Sequence, residues 1–189
     1  MSGRDLIRKF NYILRLLEGV SKLIPQSIFS FIWNTFDRSE SKISLLLRYL
    51  YVKKYAATCG ENIFIGKGVI LKNIHNLKLG SNISIHAYSY IDSYGGITIK
   101  DNVSIAHHSS IISFEHTWDD KELPIKYNNL KENKVEITED VWIGSGCRIL
   151  SGVKINKRCV VAAGAVVNSS VKPNSLVAGV PARKIKDIY

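Results

Sequence analysis

Five histidines and three cysteines are the side chains of this 189-residue sequence best placed to do chemistry near neutral pH. Histidine changes charge in that range without a large perturbation. His75, His86, His107, His108 and His116 are therefore the candidates to take a proton from a hydroxyl or to ligate a metal. His116, in IISFEHTW, differs from the rest because it stands where a regular pattern stops and an irregular, charge-rich stretch begins. The cysteines promise less. Cys59 stands alone, and an odd count without close spacing argues against a disulfide framework or a zinc knuckle, leaving small buried thiols in a reducing compartment as the expectation. Glu115 adjoins His116, but neighbours in an extended segment point to opposite sides, so it is poorly placed to orient that imidazole.

Something must hold these groups. Residues 137–171 read ITEDVWIGSGCRILSGVKINKRCVVAAGAVVNSSV. Ile137, Ile143, Ile149, Ile155, Val161 and Val167 return every sixth place. Val141, Cys147, Val153, Cys159, Ala165 and Val171 follow each of them by four. Neither a helical period of 3.6 nor a strand period of 2 gives that beat. A short flat strand plus a two-residue corner consumes six positions, and three such sides return the chain over itself. Residues 18 apart then stack: Ile137 over Ile155, Ile143 over Val161, Cys147 over Ala165. The expected fold is a parallel β-solenoid in which each coil touches only its neighbours. Earlier in the chain the beat persists in three phases: Ile65, Leu71 and Leu77; Leu79, Ile85, Ile91 and Ile97; Ile99, Ile105 and Ile111. Two-residue slips at 77–79 and 97–99 can be absorbed at a corner. About five coils are expected across 59–171. Residues 112–136, with Pro124, Tyr127 and an Asn pair, lose the beat and read as an excursion loop.

Residues 1–58 read as an N-terminal helical segment, with Leu6, Ile7, Phe10, Ile13, Leu14, Leu17 and Val20 at steps of three and four. Pro25 breaks this run, Ser27 could cap a second helix, and a third apolar cluster covers Ile43 to Tyr51. The segment carries ten Lys or Arg against four Asp or Glu, an excess of six within a chain whose formal charge is +10. Such a basic amphipathic segment suits peripheral contact with an anionic membrane surface, or else packs on the solenoid and on neighbouring copies. Residues 172–189 form a basic tail in which Pro173 and Pro181 end the repeat. The longest uncharged stretch, Leu23 to Phe36, is shorter than the roughly 20 residues a membrane crossing needs. No signal-peptide pattern follows Arg4, Asp5, Arg8 and Lys9. The expected location is the cytoplasm, at the inner face of the membrane if the N-terminal segment docks there.

The run IGSGCRILSGVKINKRCVVAAGAVV followed by VAGVPARKI resembles the hexapeptide-repeat acyltransferases, and within them the galactoside, maltose and capsular-sugar O-acetyltransferases. The resemblance covers roughly residues 59–187. It implies an all-β solenoid, a left-handed parallel β-helix of hexapeptide repeats, although parallel crossovers are right-handed almost without exception. It also implies a homotrimer with acetyl-CoA in a groove between subunits, and no metal. His116 matches the catalytic position, 13 residues after Val103, and is expected to be the general base for direct attack of a sugar hydroxyl on the thioester. Gly144, Ser145, Ala163 and Gly164 match contacts to CoA, where small residues leave room for the pantetheine arm. Trp142 is expected to wall the groove, and Arg183 and Lys186, in PARKIK, to meet the phosphates. An amide near Gly144 or Ser145 could bind the developing oxyanion. Asp92, in YIDSYGG, resembles the acceptor-binding acidic position, and Tyr94 could touch the same ligand. His86 stands where many sugar-acetylating relatives carry Asn, so it belongs to the acceptor set while leaving the identity of the sugar open. His75 takes an inward-type slot, and His107 and His108 are expected to be structural or groove-lining. Cys147 and Cys159, in inward slots away from any base, suggest no acyl-enzyme.

Three other readings compete. A zinc hydratase of the same fold needs three converging histidines, whereas the 107/108 pair and His116 are eight or nine residues apart. An N-acetyltransferase of a nucleotide-linked amino sugar is the alternative enzyme. A non-catalytic scaffold would leave His116 and the PAR tail unexplained, and no interleaved aromatic and basic motif points to nucleic acid. The expected role is O-acetylation of a small-molecule or lipid-linked sugar in cell-surface polysaccharide assembly.

Overall fold

A computed structural model describes residues 11–189, so the helical reading of Leu6, Ile7 and Phe10 and the basic residues 4, 8 and 9 lie outside the described residues. Among the described residues three helices come first: α1 (Asn11–Ser21), α2 (Gln26–Phe36) and α3 (Lys42–Tyr55). Ser27 does not cap the second. Pro25 holds the N-cap position without a side-chain bond, because its fixed extended geometry already turns the chain into the helix. The third helix is capped by Ser41, whose hydroxyl accepts from the Ser44 amide at 3.2 Å.

Nineteen short strands follow among these residues, sixteen of them wound into a left-handed β-helix of about six turns. Face A stacks β1 (Thr58–Cys59), β4 (Leu77–Leu79), β7 (Ile97–Ile99), β12 (Val135–Ile137) and β15 (Lys154–Ile155). Face B stacks β2 (Ile63–Ile65), β5 (Ile83–Ile85), β8 (Val103–Ile105), β13 (Val141–Ile143), β16 (Cys159–Val161) and β18 (Ser175–Ala178), with β19 (Arg183–Asp187) antiparallel at its edge. Face C stacks β3 (Ile70–Lys72), β6 (Tyr90–Asp92), β9 (Ser110–Ile112), β14 (Arg148–Ile149) and β17 (Val166–Val167).

Each three-residue strand of faces A and B turns two alternate residues inward, which is the physical meaning of the two apolar slots per hexad. Val135 and Ile137, Val141 and Ile143, and Cys159 and Val161 are all at most 2% exposed. The 18-residue stacking expected from the clean tract is observed: Ile137 pairs with Ile155, Ile143 with Val161, and Ile149 with Val167. The earlier coils are longer. Ile63 pairs with Ile83, Ile70 with Tyr90 and Leu77 with Ile97, twenty residues apart in each case. The two extra residues fall at the corner from face C to face A, and they are the phase slips read along the sequence. Leu77 and Leu79 are both inward residues of one strand. The solenoid also starts before Ile65 and runs past Val171, so the coil count is about six and not five.

The excursion leaves at this same wide corner. β9 ends at Ile112 and β12 starts at Val135; between them β10 (Phe114–His116) and β11 (Leu130–Glu132) form an antiparallel hairpin. A corner already two residues too long is where an insertion disturbs the stack least, because no inward pair has to move. Another corner, from face A to face B, is pinned by asparagines in the left-handed backbone region: Asn62, Asn82 and Asn102, with φ of 58°, 58° and 60°. Their amides form a ladder, Asn62 donating to Asn82 at 2.8 Å and Asn82 to Asn102 at 3.0 Å. Asn tolerates this conformation better than other non-glycine residues.

Helix α3 covers the first coil, with Val52 joining the solenoid core. Arg48 is 1% exposed and donates from Nε to the Ile65 carbonyl at 2.9 Å. Its Nη1 donates to the carbonyls of Phe36, Asp37 and Ser39. One guanidinium thus ties the α2–α3 link, the helix and the first coil together.

Candidate functional site

Two corners carry the residues of interest, and face C lies between them. At the corner from face B to face C, successive coils present residues 66–68, 86–88, 106–108, 144–146 and 162–164. The first is Gly66-Lys67-Gly68, whereas the second and third carry rings. His86 is exposed and packs on Phe64 at 5.4 Å; Tyr88 and His108 stack at 5.2 Å, both in the left-handed region with φ of 61° and 59°. The next two coils are small: Gly144-Ser145-Gly146 and Ala162-Ala163-Gly164. A Cβ added at Gly146 or Gly164 would meet open space, so there is room for a narrow ligand along this edge. Gly144 is small for a different reason. An added Cβ would come 2.6 Å from the Ala163 amide nitrogen of the next coil.

The backbone here decides which amide can act. The Gly144 N–H donates to the Val161 carbonyl at 2.8 Å and is used by the fold. The Ser145 N–H has no acceptor among the described residues, so of the two candidate oxyanion donors Ser145 is the one left free. Trp142 lies two residues earlier on the outer side of face B, 56% exposed, between Ser104 and Val160. The register continues that outer row through Leu176 to Lys186. Three strand spacings put Lys186 about 14 Å from Trp142, the order of an extended pantetheine arm. Arg183 is exposed at the start of the same edge strand, its Nη1 donating to the Ala182 carbonyl, while Lys184 is paired with Asp187 at 2.6 Å.

At the corner from face C to face A, the Asp92 carboxylate is nearly buried. Its Oδ1 accepts from Asn73 Nδ2 at 2.7 Å and its Oδ2 from the Tyr90 hydroxyl at 3.2 Å. Burial, with the charge of Asp92 beside it, raises the Tyr90 phenol above its ordinary range. Tyr94 is 40% exposed and packs edge-on against Phe114 of the hairpin at 5.5 Å.

His116 follows on β10, exposed and directly opposite Leu130. Alternation places Phe114, His116, Leu130 and Glu132 on one face of the hairpin. Glu115 takes the other face, where its carboxylate accepts from Asn133 Nδ2 at 3.3 Å. The acidic residue sharing the face of His116 is Glu132, diagonal across the hairpin, and this follows from the pairing register alone.

The structure therefore brings Asp92, Tyr94 and His116 to one corner, and Gly144, Ser145, Ala163, Gly164 and His86 to the other, with Trp142 on the outer side of face B beside it. The width of face C separates them, roughly 15 Å for five extended residues. His75 is exposed in a 3-10 turn, not inward, because the extra pair of residues at that corner moves it out of phase. His107 and His108 are exposed corner residues. Cys147 and Cys159 are buried in inward slots, and burial pushes both thiols up. No helix among the described residues is long and apolar enough to cross a membrane, and no group of three His, Cys, Asp or Glu among them could hold a metal ion.

Comparison with known proteins gives this geometry a context. The family model described as bacterial transferase hexapeptide, six repeats, matches residues 134–169. A protein of Mycobacterium tuberculosis named a probable acetyltransferase is 33% identical over 129 residues, which are 68% of this chain and 43% of that protein. Galactoside O-acetyltransferase of Escherichia coli is 32% identical over 143 residues, 72% of this chain and 66% of that one. The chain thus spans less than two thirds of the length of either relative. A solved structure of a galactoside acetyltransferase in complex with coenzyme A superposes with a TM-score of 0.75 at 27% identity, covering 100% of this chain and 92% of that one.

Proposed function

Since this chain belongs to the hexapeptide-repeat acetyltransferase family, we propose that it transfers acetyl from acetyl-CoA to a sugar hydroxyl. The observation that carries the reading is His116, exposed on a hairpin that leaves the solenoid and unengaged by its own chain among the described residues. The acceptor oxygen forms a bond to the thioester carbonyl carbon as the C–S bond breaks. The hydroxyl proton passes to the imidazole and from there to the departing thiolate. The Ser145 amide holds the developing oxyanion, Trp142 walls the thioester end, and Lys186 and Arg183 meet the phosphates. Asp92, Tyr94 and His86 belong to the acceptor side. A galactoside O-acetyltransferase among its relatives supports a hydroxyl on a sugar.

The separation of the two corners within one chain supports a shared site. In a closed ring of three copies, the hairpin corner of one chain meets the glycine-bearing corner of the next. His86 of one copy then approaches Asp92 and Tyr94 of another, although one chain holds them apart.

Contact with an anionic membrane is the reading for the helices. Ile13, Leu16, Val20 and Leu23 form an exposed stripe on and just after α1, with Arg15 and Lys22 beside it. This supports a lipid-linked acceptor in cell-surface polysaccharide assembly, at the inner face of the membrane. Leu16→Glu with Val20→Glu abolishes co-flotation with anionic vesicles on this view; unchanged flotation removes it.

The deciding assay is thiol release from acetyl-CoA against sugars, amino sugars and amino acids, with wild type and His116→Ala. The variant is expected to lose roughly 10²–10⁴ of turnover on sugar hydroxyls. Equal turnover ends the assignment, and a preference for amino sugars replaces it with N-acetylation.

A further inference from the structure

Trp118 is 70% exposed and, among the described residues, has neither an aromatic neighbour nor a hydrogen-bond partner. Its indole offers an open apolar face with a polar edge. Thr117 donates to the Asn129 carbonyl from both its amide, at 3.0 Å, and its hydroxyl, at 2.9 Å. The strand that carries His116 therefore stays paired for one more residue. Trp118, two residues beyond the imidazole, returns to the imidazole's side of the hairpin.

The loop that carries the indole is fixed. Asn128 is 7% exposed, and its Oδ1 accepts from the Asp120 amide at 2.9 Å. Its Nδ2 donates to the carbonyls of Asp120, Leu123 and Pro124 at 3.1 to 3.4 Å. A platform held in this way loses little freedom when a ligand settles on it.

Geometry then limits what the ligand is. A base must come within about 3 Å of the oxygen it deprotonates. Residues i and i+2 of a strand are roughly 6.6 Å apart. An acceptor that offers a hydroxyl to His116 from this face therefore has its ring within reach of the indole. A pyranose matches such a surface, since it carries an apolar C–H face and a rim of hydroxyls. Asp119, Asp120 and Glu122 outnumber Lys121 and Lys126 in the same loop, which favours an uncharged sugar over an anionic one.

We propose that Trp118 positions the acceptor by stacking on the apolar face of a neutral pyranose whose hydroxyl is delivered to His116. The inference rests on the sugar O-acetyltransferase reading and names the acceptor class for the same site.

Kinetics of Trp118→Ala and Trp118→Phe test it, with neutral methyl pyranosides, the corresponding uronates and acetyl-CoA varied in turn. Trp118→Ala is expected to raise KM for neutral pyranosides by about tenfold or more, with KM for acetyl-CoA and the unfolding temperature unchanged. Trp118→Phe should recover most of the loss, and wild type should discriminate against uronates. An unchanged acceptor KM in Trp118→Ala overturns the inference and leaves the O-acetyltransferase standing. A fall in oligomer mass or melting temperature that accounts for the loss also overturns it, making the indole a subunit contact. Wild type that acetylates no pyranoside removes the sugar reading and this inference with it.

Discussion

Gly144 lies so close beneath Ala163 that a Cβ on it would come 2.6 Å from the Ala163 amide nitrogen and 2.9 Å from the Val161 carbonyl oxygen. Both obstacles are backbone, so neither can swing aside. Gly164, one coil on, has φ of 73° and open space around it. Gly144→Ala is therefore expected to cost about 1–3 kcal/mol through a forced coil shift. Gly164→Ala costs about 1–2 kcal/mol through the left-handed backbone alone, and leaves the stacking of the coils intact. Urea unfolding measures the two costs. A tenfold or greater loss of CoA affinity in a still-folded Gly164→Ala protein would locate the donor along that edge.

Arg48 joins α3, the α2–α3 link and the first coil through one buried side chain. Burial lowers its guanidinium pKa, against the charges of Asp37 and Glu40 that raise it, yet four carbonyls need its donors. Arg48→Met keeps the bulk and orphans those acceptors, at about 1–3 kcal/mol for each that stays buried. Arg48→Lys keeps the charge and loses the fork. Both should lower the unfolding midpoint and open the α2–α3 link, with Arg38 and Lys42, to trypsin. A link that stays resistant in Arg48→Met would show that the apolar contacts of α3 suffice.

The Cys59 thiol is pushed up to about 11 by burial, with Lys53 opposing and Glu18 assisting. A folded-state value above the unfolded value of 9 means that the native state holds this proton more tightly. Its contribution is fully present below pH 9 and is lost as pH rises from 9 towards 11. Stability should fall across that window in wild type and fall less in Cys59→Ala. Alkylation of native protein at pH 8 should be slow, and activity should survive it, because no thiol takes part in the transfer. Rapid inactivation by a thiol reagent would restore the covalent route.

The clean hexads were readable because each inward residue there is also apolar and equivalent inward positions on successive faces are six residues apart. Ile137, Ile143 and Ile149 needed nothing but counting. The earlier coils resisted because the step of eight residues from Leu71 to Leu79 and from Ile91 to Ile99 breaks the beat without breaking the stack. Leu77 and Leu79, which read as two phases, are one strand, and His75 was misplaced by the same two residues. The asparagines at 62, 82 and 102 recur every twenty residues and would have given the true coil length. Pairing across space was the other barrier. No linear pattern reveals that Leu130 faces His116, or that Asn128 fixes the loop presenting Trp118. Membership of one site was legible only through resemblance, since the structure sets His86 and Asp92 at different corners of each chain.

That division permits a test by complementation. His116→Ala removes the base and leaves the glycine-bearing corner untouched. Ala163→Trp fills that corner from an exposed position and leaves the hairpin untouched. Each homo-oligomer should be inactive. When the two inactive chains are refolded together at equal amounts, random assembly around a closed ring gives roughly a quarter of the sites an intact base from one chain and an intact groove from its neighbour. Thiol release should return to about that fraction of wild type. Mixed assemblies, verified by mass, that stay as inactive as their parents would place both halves of the site in a single chain and break the shared-site mechanism.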